Sequence, residues 1–433
     1  MKKNIKEVMD FFDMKRKALF LAALTPGGLE RVFYNLYKIL NIDNFIVLDE
    51  RHNFFAVPED KILGLHSYYP KDFWGQVKVV LSTFWNLRKI KRKYDFSVCI
   101  SGHEPCNLLN VLTRKNEKVI LTFHGNYTMH ILKNPLHVNA RFSKLKIAII
   151  KWIIKTFYNK ADAIVVVSKN IEEDFIKNWG IKKEKIRVIY NPIFFNEIKT
   201  KSREDLGKYE KLFSNYNVII NIGRIYNPKG QWYLLKFLKV LKKKHNNLKL
   251  VILGDGELKE FLVEFGKRLG LKVYDYSKDE YNESYDAYFL GFQENPFKFI
   301  SRSKLFLFPS FFEGLPMVLV EALAAGAVII SSDCRSGPRE ILAPDTDFNY
   351  ETKDVEFAKY GILMPVLDIN NKEANLELSE AEKKWVEVID RMLRDEKLRE
   401  KYIKLSNQRA KDFDIVNIKK EWETLFEELE GKR

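Results

Sequence analysis

Two glutamates, Glu313 and Glu321, stand with seven residues between them in FFEGLPMVLVEALAAG (311–326). A carboxylate beside buried chain is costly unless something binds it, so this pair marks a place where a polar ligand is held. The preceding LFLFPS reads as a strand, and a helix begins near Pro316. Glu313 then falls in the loop, and Glu321 about one and a half turns into the helix at ~1.5 Å per residue. The backbone amides of Gly314, Leu315 and Met317 point toward the strand end, where an anion can sit. One glutamate can take sugar hydroxyls beside that anion, and the other a ribose. Two surface glutamates at a helix start would fit poorly with the apolar residues on both sides.

Other reactive residues follow other apolar runs. NVIINIG (217–223) is followed by RIYNPKG, in which Arg224 and Lys229 precede a helix opening near Gly230. Two cations converging with a helix N-terminus suit a diphosphate, whereas most lysines and arginines are solvated surface charges. Position directly after a strand favours the first reading. Gly27 and Gly28 in TPGGLERV bring bare backbone to a helix start, which serves a tight turn and a bound anion equally well. Phe292 in LGFQENP can border a nucleobase or pack in the core. LGDGELKEFL (253–262) lacks the full GxGxxG pattern and follows the second strand of its series, which argues against a nicotinamide site. His124 in FHG is by residue type a packed, hydrogen-bonded histidine, and its place at a strand end raises the functional reading above that.

These residues need strands to hold them. KALFLAAL (17–24), FIVLD (45–49), FSVCIS (96–101), KVILTFHG (118–125), AIVVVS (163–168) and IRVIYN (186–191) form one series. NVIINIG, LKLVILG (248–254), AYFLG (287–291), KLFLFPS (304–310) and AVIISS (327–332) form a second. Apolar strands alternating with amphipathic helices describe parallel sheets covered on both faces, so the fold class is α/β with two doubly wound Rossmann-like domains. In such folds ligands bind at the carboxyl ends of the strands, in a crevice. The expected division is 1–195, a linker over 196–216, a second domain over 217–375, and C-terminal helices over 376–433 that pack back on the first domain.

The 433-residue length suits two domains, and 46% hydrophobic with 30% charged residues excludes disorder. Residues 1–200 carry 34 Lys and Arg against 19 Asp and Glu, a net of +15, while residues 201–433 carry 39 of each. An anionic partner for the first domain alone follows. There is no zinc-finger spacing and no RNP-type aromatic motif, so nucleic acid is not expected. Cys99, Cys106 and Cys334 include no CxxC pair, which argues against a zinc site or a disulfide framework. The most apolar stretch, IAIIKWIIKTFY (147–158), is far short of the ~20 residues of a span, and the N-terminus lacks a signal peptide pattern. A cytoplasmic protein is expected.

The Glu313–Glu321 spacing resembles the E-x7-E element of the retaining glycosyltransferase family 4 enzymes, which have the two-domain GT-B fold. GGLERV, FHG, VSKNIEEDF, VIYNPI, GRIYNPKG, LGDGELKEFL and CRSGPREIL agree in order over nearly the whole chain. The resemblance implies that Arg224 and Lys229 clamp the donor diphosphate and that Gly28 approaches it. It implies that Glu321 binds the nucleotide ribose, and that Glu313 faces the donor sugar and supports positive charge at its anomeric carbon. His124 takes the place of a histidine that positions sugar or acceptor. No cofactor and no metal are implied. No dedicated nucleophile for a double displacement is evident, so a front-face reaction aided by the donor diphosphate is expected.

The implied substrates are a nucleotide-sugar, with a UDP-hexose or UDP-N-acetylhexosamine favoured by SGPREIL, and a saccharide acceptor. Segments 73–94 and 141–160 read as basic amphipathic helices, with Lys144, Lys151 and Lys155 near one face of the second. A core-packed helix explains either singly. Their concentration in the basic domain points to an anionic membrane surface on the inner face of the cell membrane and to a lipid-diphosphate-linked acceptor. Two other classes remain: a nucleotide-sugar epimerase of the same fold, which would need catalytic acids and bases, and a non-catalytic sugar-nucleotide-binding protein, which would be expected to lack a clamp residue.

Overall fold

The computed structural model describes residues 16–25, 27–68, 73–102, 104–125, 127–128, 140–374 and 377–431, the side chains of residues 73, 74, 77 and 140–145 excepted. The chain folds as two compact units, Met1–Pro192 joined by Ile415–Arg433, and Ile193–Asp414.

The first unit is built on seven strands: β1 (Lys17–Leu21), β2 (Asn44–Val47), β3 (Ile62–Gly64), β4 (Val98–Gly102), β5 (Lys118–Phe123), β6 (Ala163–Val166) and β7 (Ile186–Val188). Their order is β3-β2-β1-β4-β5-β6-β7 and every pairing is parallel. Runs such as KALFL and AIVV are buried almost end to end, as strands covered on both faces must be. The strand order reverses between β1 and β4, and their carboxyl ends define the binding edge. The helix Ile415–Glu430 belongs to this unit, where Glu428 pairs with Arg187 at 2.7 Å and Lys17 lies over the Phe426 ring at 5.0 Å.

The second unit carries β8 (Asn217–Ile222), β9 (Leu248–Leu253), β10 (Val273–Asp275), β11 (Ala287–Phe289), β12 (Leu305–Phe308), β13 (Ile329–Ser332), β14 (Glu356–Phe357) and β15 (Ile362–Met364). The order is β10-β11-β9-β8-β12-β13-β15-β14, parallel except for the antiparallel edge pair β14–β15. Here the order reverses between β8 and β12. Asn221 pins the two together, its amide donating to the Leu307 carbonyl at 2.8 Å while its oxygen accepts from Gln231 at 3.1 Å. Trp232, Phe237 and Trp385 fill the core between the helices Trp232–Leu241 and Glu380–Arg394. The buried Lys236–Glu382 pair, 2.5 Å apart, crosses that same interface.

The sequence reading differs from the structure at the joints. Residues 196–216, expected as a linker, are folded: the helices Phe195–Lys201 and Glu210–Asn215 bury Ile198, Leu212 and Phe213 within the second unit. The helices up to Ala410 stay with that unit too, because Met392 and Tyr402 belong to its core. Strands β3, β10, β14 and β15, of two or three residues each, lie outside the strands read from the sequence.

Candidate functional site

In the second unit one expected cation and one expected carboxylate, Lys229 and Glu313, meet where the strand order reverses. Lys229 ends the short turn Asn227–Lys229 after β8, and Gly230 (φ +63) completes it. A Cβ on Gly230 would stand 2.5 Å from the Pro309 carbonyl oxygen, so the turn lies directly against the end of β12. From there Lys229 Nζ reaches Glu313 Oε1 at 2.6 Å, with only 15% and 12% of the two side chains exposed. The same ammonium lies 5.3 Å from the Phe308 ring centroid. Burial works against its charge, yet the Glu313 carboxylate holds the Lys229 pKa above the ordinary lysine value. Lys229 and Glu313 are thus brought together.

Arg224 is placed differently. It is exposed, pairs loosely with exposed Glu257 at 3.2 Å, and lies 5.4 Å from the Tyr226 ring. Such a pair binds its arginine weakly, which leaves the guanidinium able to turn toward a ligand. The backbone beneath is tightly fixed. Gly254 (φ +131) and Gly256 (φ +158) sit where a Cβ would stand 2.1 Å and 2.2 Å from the carbonyl oxygens of Gly223 and Ile225.

Glu313 is held by its own backbone. Its N–H donates to the Arg335 carbonyl at 2.9 Å, and its carbonyl accepts from Ser336 at 3.0 Å. Gly337 (φ +96) closes this zipper, because a Cβ there would lie 2.4 Å from Pro316 Cδ and 2.9 Å from the Gly314 carbonyl. Behind it, buried Arg339 grips Asp333 at 2.5 Å and Glu356 at 2.6 Å. Pro316 is the N-cap of the helix Met317–Ala325, and its carbonyl accepts from Leu319 N–H at 2.9 Å, so this first-turn amide is already used. Leu315 is buried, while Gly314 and Met317 are partly exposed. Glu321 lies partly exposed in the middle of that helix.

Phe292 is 67% exposed beyond the end of β11, so it is no core aromatic. Beside it Tyr276 packs on Gly291 and donates its hydroxyl to Asp255 at 2.8 Å. The sequence offered no signal for Ser310 and Asn227. The Ser310 hydroxyl and the Asn227 amide oxygen, buried at the ends of β12 and β8, have no hydrogen-bond partner among the described residues.

In the first unit Gly27 is the N-cap of the helix Gly28–Ile39. Gly28 is exposed, and a Cβ there would meet nothing within 4 Å. Glu30 folds back over the turn, 1.9 Å from where a Gly27 Cβ would stand, so an anion arriving here must displace a carboxylate. His124, half-buried after β5, shares a hydrogen bond with the Thr122 hydroxyl at 3.0 Å. Its ring lies 6.0 Å from Phe33 of the Gly28–Ile39 helix, and Gly102 at the end of β4 leaves room for that phenylalanine. The glycine turn and His124 thus share one packed support at the reversal of the strand order.

The expected basic helices are Phe73–Tyr94 and Ala140–Phe157. Trp85 and Trp152, 60% and 61% exposed, project from them, with Val80, Leu81 and Ile149 exposed as well. Lys91 departs from the expected basic face: it is buried, paired with Glu117 at 2.7 Å. The Lys144 side chain lies outside the described residues. Among the described residues no helix is long and apolar enough to cross a membrane.

Comparison with known proteins identifies the family and the fold. Residues 26–195 match the family model described as Glycosyltransferase Family 4, and residues 202–409 the model described as Glycosyl transferases group 1. An uncharacterised glycosyltransferase of Methanocaldococcus jannaschii is 34% identical over 359 residues, spanning 80% of this chain and 83% of the relative. The N-acetylgalactosamine-N,N'-diacetylbacillosaminyl-diphospho-undecaprenol 4-alpha-N-acetylgalactosaminyltransferase of Campylobacter jejuni is 28% identical over 420 residues, spanning 94% of this chain and 97% of the relative. Among solved structures, HepE of Anabaena in complex with UDP has a TM-score of 0.70 at 15% identity, over 95% of this chain and 100% of that one. That likeness identifies the fold as the one these glycosyltransferases share.

Proposed function

We propose, from the premise that the chain belongs to the group 1, family 4 glycosyltransferases, that it moves a hexose or N-acetylhexosamine from a UDP-sugar to a saccharide carried on a lipid diphosphate, with retention of configuration. The observation that carries this reading is the Lys229–Glu313 pair, a held cation beside a carboxylate at the reversal between β8 and β12. Lys229, with Arg224 swung in from Glu257, would neutralise the donor diphosphate as it departs, so that no metal is needed there. Glu313 would face the donor sugar, and Glu321 the ribose.

In the step itself the bond from the anomeric carbon to the diphosphate oxygen breaks. The acceptor hydroxyl attacks from the same face and its proton passes to the departing diphosphate. The protein contributes position and electrostatics, with His124 orienting the sugar or the acceptor. UDP as the carrier rests on the complex formed by HepE, and the lipid diphosphate on the name of the Campylobacter relative. The excess positive charge of residues 1–200, with exposed Trp85 and Trp152 on basic helices, supports a peripheral place on the inner face of the cell membrane.

The test is incubation of the purified chain with UDP-sugars and a lipid-linked glycan extract, with and without EDTA. Release of UDP with an α-linked product, unchanged by EDTA, is the expected result. A β-linked product, full loss with EDTA restored by Mg²⁺ or Mn²⁺, or epimer formed without acceptor would each overturn part of the reading.

A further inference from the structure

The loop that carries Glu313 runs from 309 to 316, between β12 and the helix Met317–Ala325, and has no regular structure. Irregular chain keeps one conformation only when other groups take up its N–H and C=O bonds. For Glu313 both bonds go to the loop after β13, to Arg335 and Ser336. That loop, 333–337, is irregular as well, so the placement of Glu313 depends on what holds 333–337.

Its two ends are stapled together by an ion pair. At the near end Asp333, 2% exposed, donates its N–H to the Met364 carbonyl of β15 at 2.8 Å. Its carboxylate accepts from Thr352 N–H at 2.7 Å and from Arg339 at 2.5 Å. Arg339 lies beyond the far end, in the short helix Pro338–Leu342, and is 4% exposed. The rest of its guanidinium is taken by Glu356 of β14 at 2.6 Å and the Thr346 hydroxyl at 3.1 Å, with the Tyr350 ring 4.9 Å away. A second buried cation fixes the end of the same short helix. Arg409, from the helix Glu396–Ala410, donates to the carbonyls of Glu340 and Ile341 at 2.8 Å and 2.9 Å.

Such an arrangement is costly. Burial pushes the Asp333 carboxyl above its ordinary pKa even with the guanidinium beside it. An apolar pair could close the loop without removing charges from water, but it would fix neither direction nor register, whereas a guanidinium fork fixes both. Resting on the glycosyltransferase reading, which sets Glu313 against the donor sugar, we infer that Arg339 is a positioning residue for Glu313. With Asp333 and Glu356 it sets the conformation of 333–337, and through that loop the place of the Glu313 carboxylate beside Lys229. Arg339 is too buried to meet a ligand, and β14, which supplies Glu356, lies three strands from β12.

Two variants of the whole chain test this in the transfer assay above, with kcat expressed per UDP-binding site counted by titration. Glu356→Gln keeps the shape and removes a charge, and Arg339→Lys keeps the charge and removes the fork. The kcat should fall roughly three- to tenfold in the first and further in the second, with UDP affinity held to within about twofold. In a Glu313→Gln background neither substitution should cost anything more, since the group they place is gone. Hydrogen exchange should quicken over 311–316 and 333–337 and stay unchanged over β8. Losses that multiply with that of Glu313→Gln, or unchanged exchange over both loops in Glu356→Gln, would overturn the inference. Should Arg339→Lys fail to fold, Glu356→Gln decides alone. If the parent does not bind UDP, or Glu313→Gln turns over like the parent, the donor reading fails instead, and the exchange rates still judge the support of the loop.

Discussion

Lys229 and Glu313 meet across β8 and β12, the two strands between which the order of the second sheet reverses, with Nζ 2.6 Å from Oε1. The two loops also meet through their backbones, Phe311 N–H donating to the Pro228 carbonyl at 2.9 Å. The pair is thus poised before any ligand arrives, and a diphosphate entering at this edge meets an ammonium already oriented.

Replacing Lys229 or Arg224 by Ala should each weaken UDP binding by about tenfold or more, the loss of a hydrogen bond to a charged group being ~1.5–3 kcal/mol. Stability should separate them. Lys229→Ala strands a mostly buried Glu313 carboxylate and should lower the melting temperature. Arg224→Ala breaks only an exposed pair and should leave it unchanged. The pH dependence follows from the raised Lys229 pKa. Its ion pair is fully present below the unfolded lysine value of 10.5 and is lost only as pH climbs through the higher folded value. Isothermal titration with UDP should give constant affinity from neutrality to about pH 9; a fall within that range would count against Lys229 as the clamp.

The two glutamates should part in kinetics. Glu313→Gln keeps the shape beside the donor sugar but removes the charge that would support the anomeric carbon, so kcat should fall by roughly a hundredfold or more while UDP affinity changes little. Glu321→Ala should raise the apparent Kd for UDP and spare the rate at saturation. Steady-state kinetics combined with UDP titration decides this, and the reverse pattern would exchange the two roles.

The strand ends were readable because each active residue directly follows a long apolar run. NVIINIG before Arg224 and LFLFPS before Glu313 announce the two strands that flank the reversal, although only the fold shows that they are neighbours. What the sequence hid was pairing. Nothing in GELKEF marks Glu257 as the resting partner of Arg224, and a buried Lys91 inside an evidently basic helix follows only from where Glu117 lies. The segment 196–216 looked like a linker because its apolar residues are too widely spaced to show a period. Tertiary packing, rather than local pattern, makes it helical.

Gly28 and Gly254 offer a contrast between chemistry and packing. Alanine at Gly254 needs a strained positive φ and places a methyl 2.1 Å from the Gly223 carbonyl oxygen, so Gly254→Ala should lower the melting temperature markedly along with UDP binding. Alanine at Gly28 meets nothing within 4 Å and suits the first position of a helix. Gly28→Ala should therefore leave stability intact and still reduce turnover, if bare backbone there approaches the diphosphate. Full activity in Gly28→Ala would reduce that turn to a simple connection.

Membrane attachment, the last expectation, depends on two helices of the first unit. On Ala140–Phe157, exposed Trp152 stands beside Lys151 and Lys155, and on Phe73–Tyr94, exposed Trp85 lies near Lys89, Arg92 and Lys93. Part of the expected lysine face packs on the protein, since Lys151 lies 5.7 Å from the Trp179 ring, while Lys155 stays exposed with its stem beside Gly180. Aromatic insertion should then matter as much as charge. Binding to vesicles should rise with anionic lipid and fall with salt, as screening shortens to ~8 Å at physiological ionic strength. At ~1 kcal/mol per lysine near the surface, Lys144, Lys151 and Lys155 changed together to Gln should release much of the protein, and Trp85→Ser with Trp152→Ser should release it with the charges intact. Co-sedimentation at low and physiological salt separates the cases. If the tryptophan variant sediments like the parent while the lysine variant does not, attachment is electrostatic alone. If the parent ignores anionic vesicles even at low salt, the charge excess of residues 1–200 instead serves the diphosphate of the acceptor.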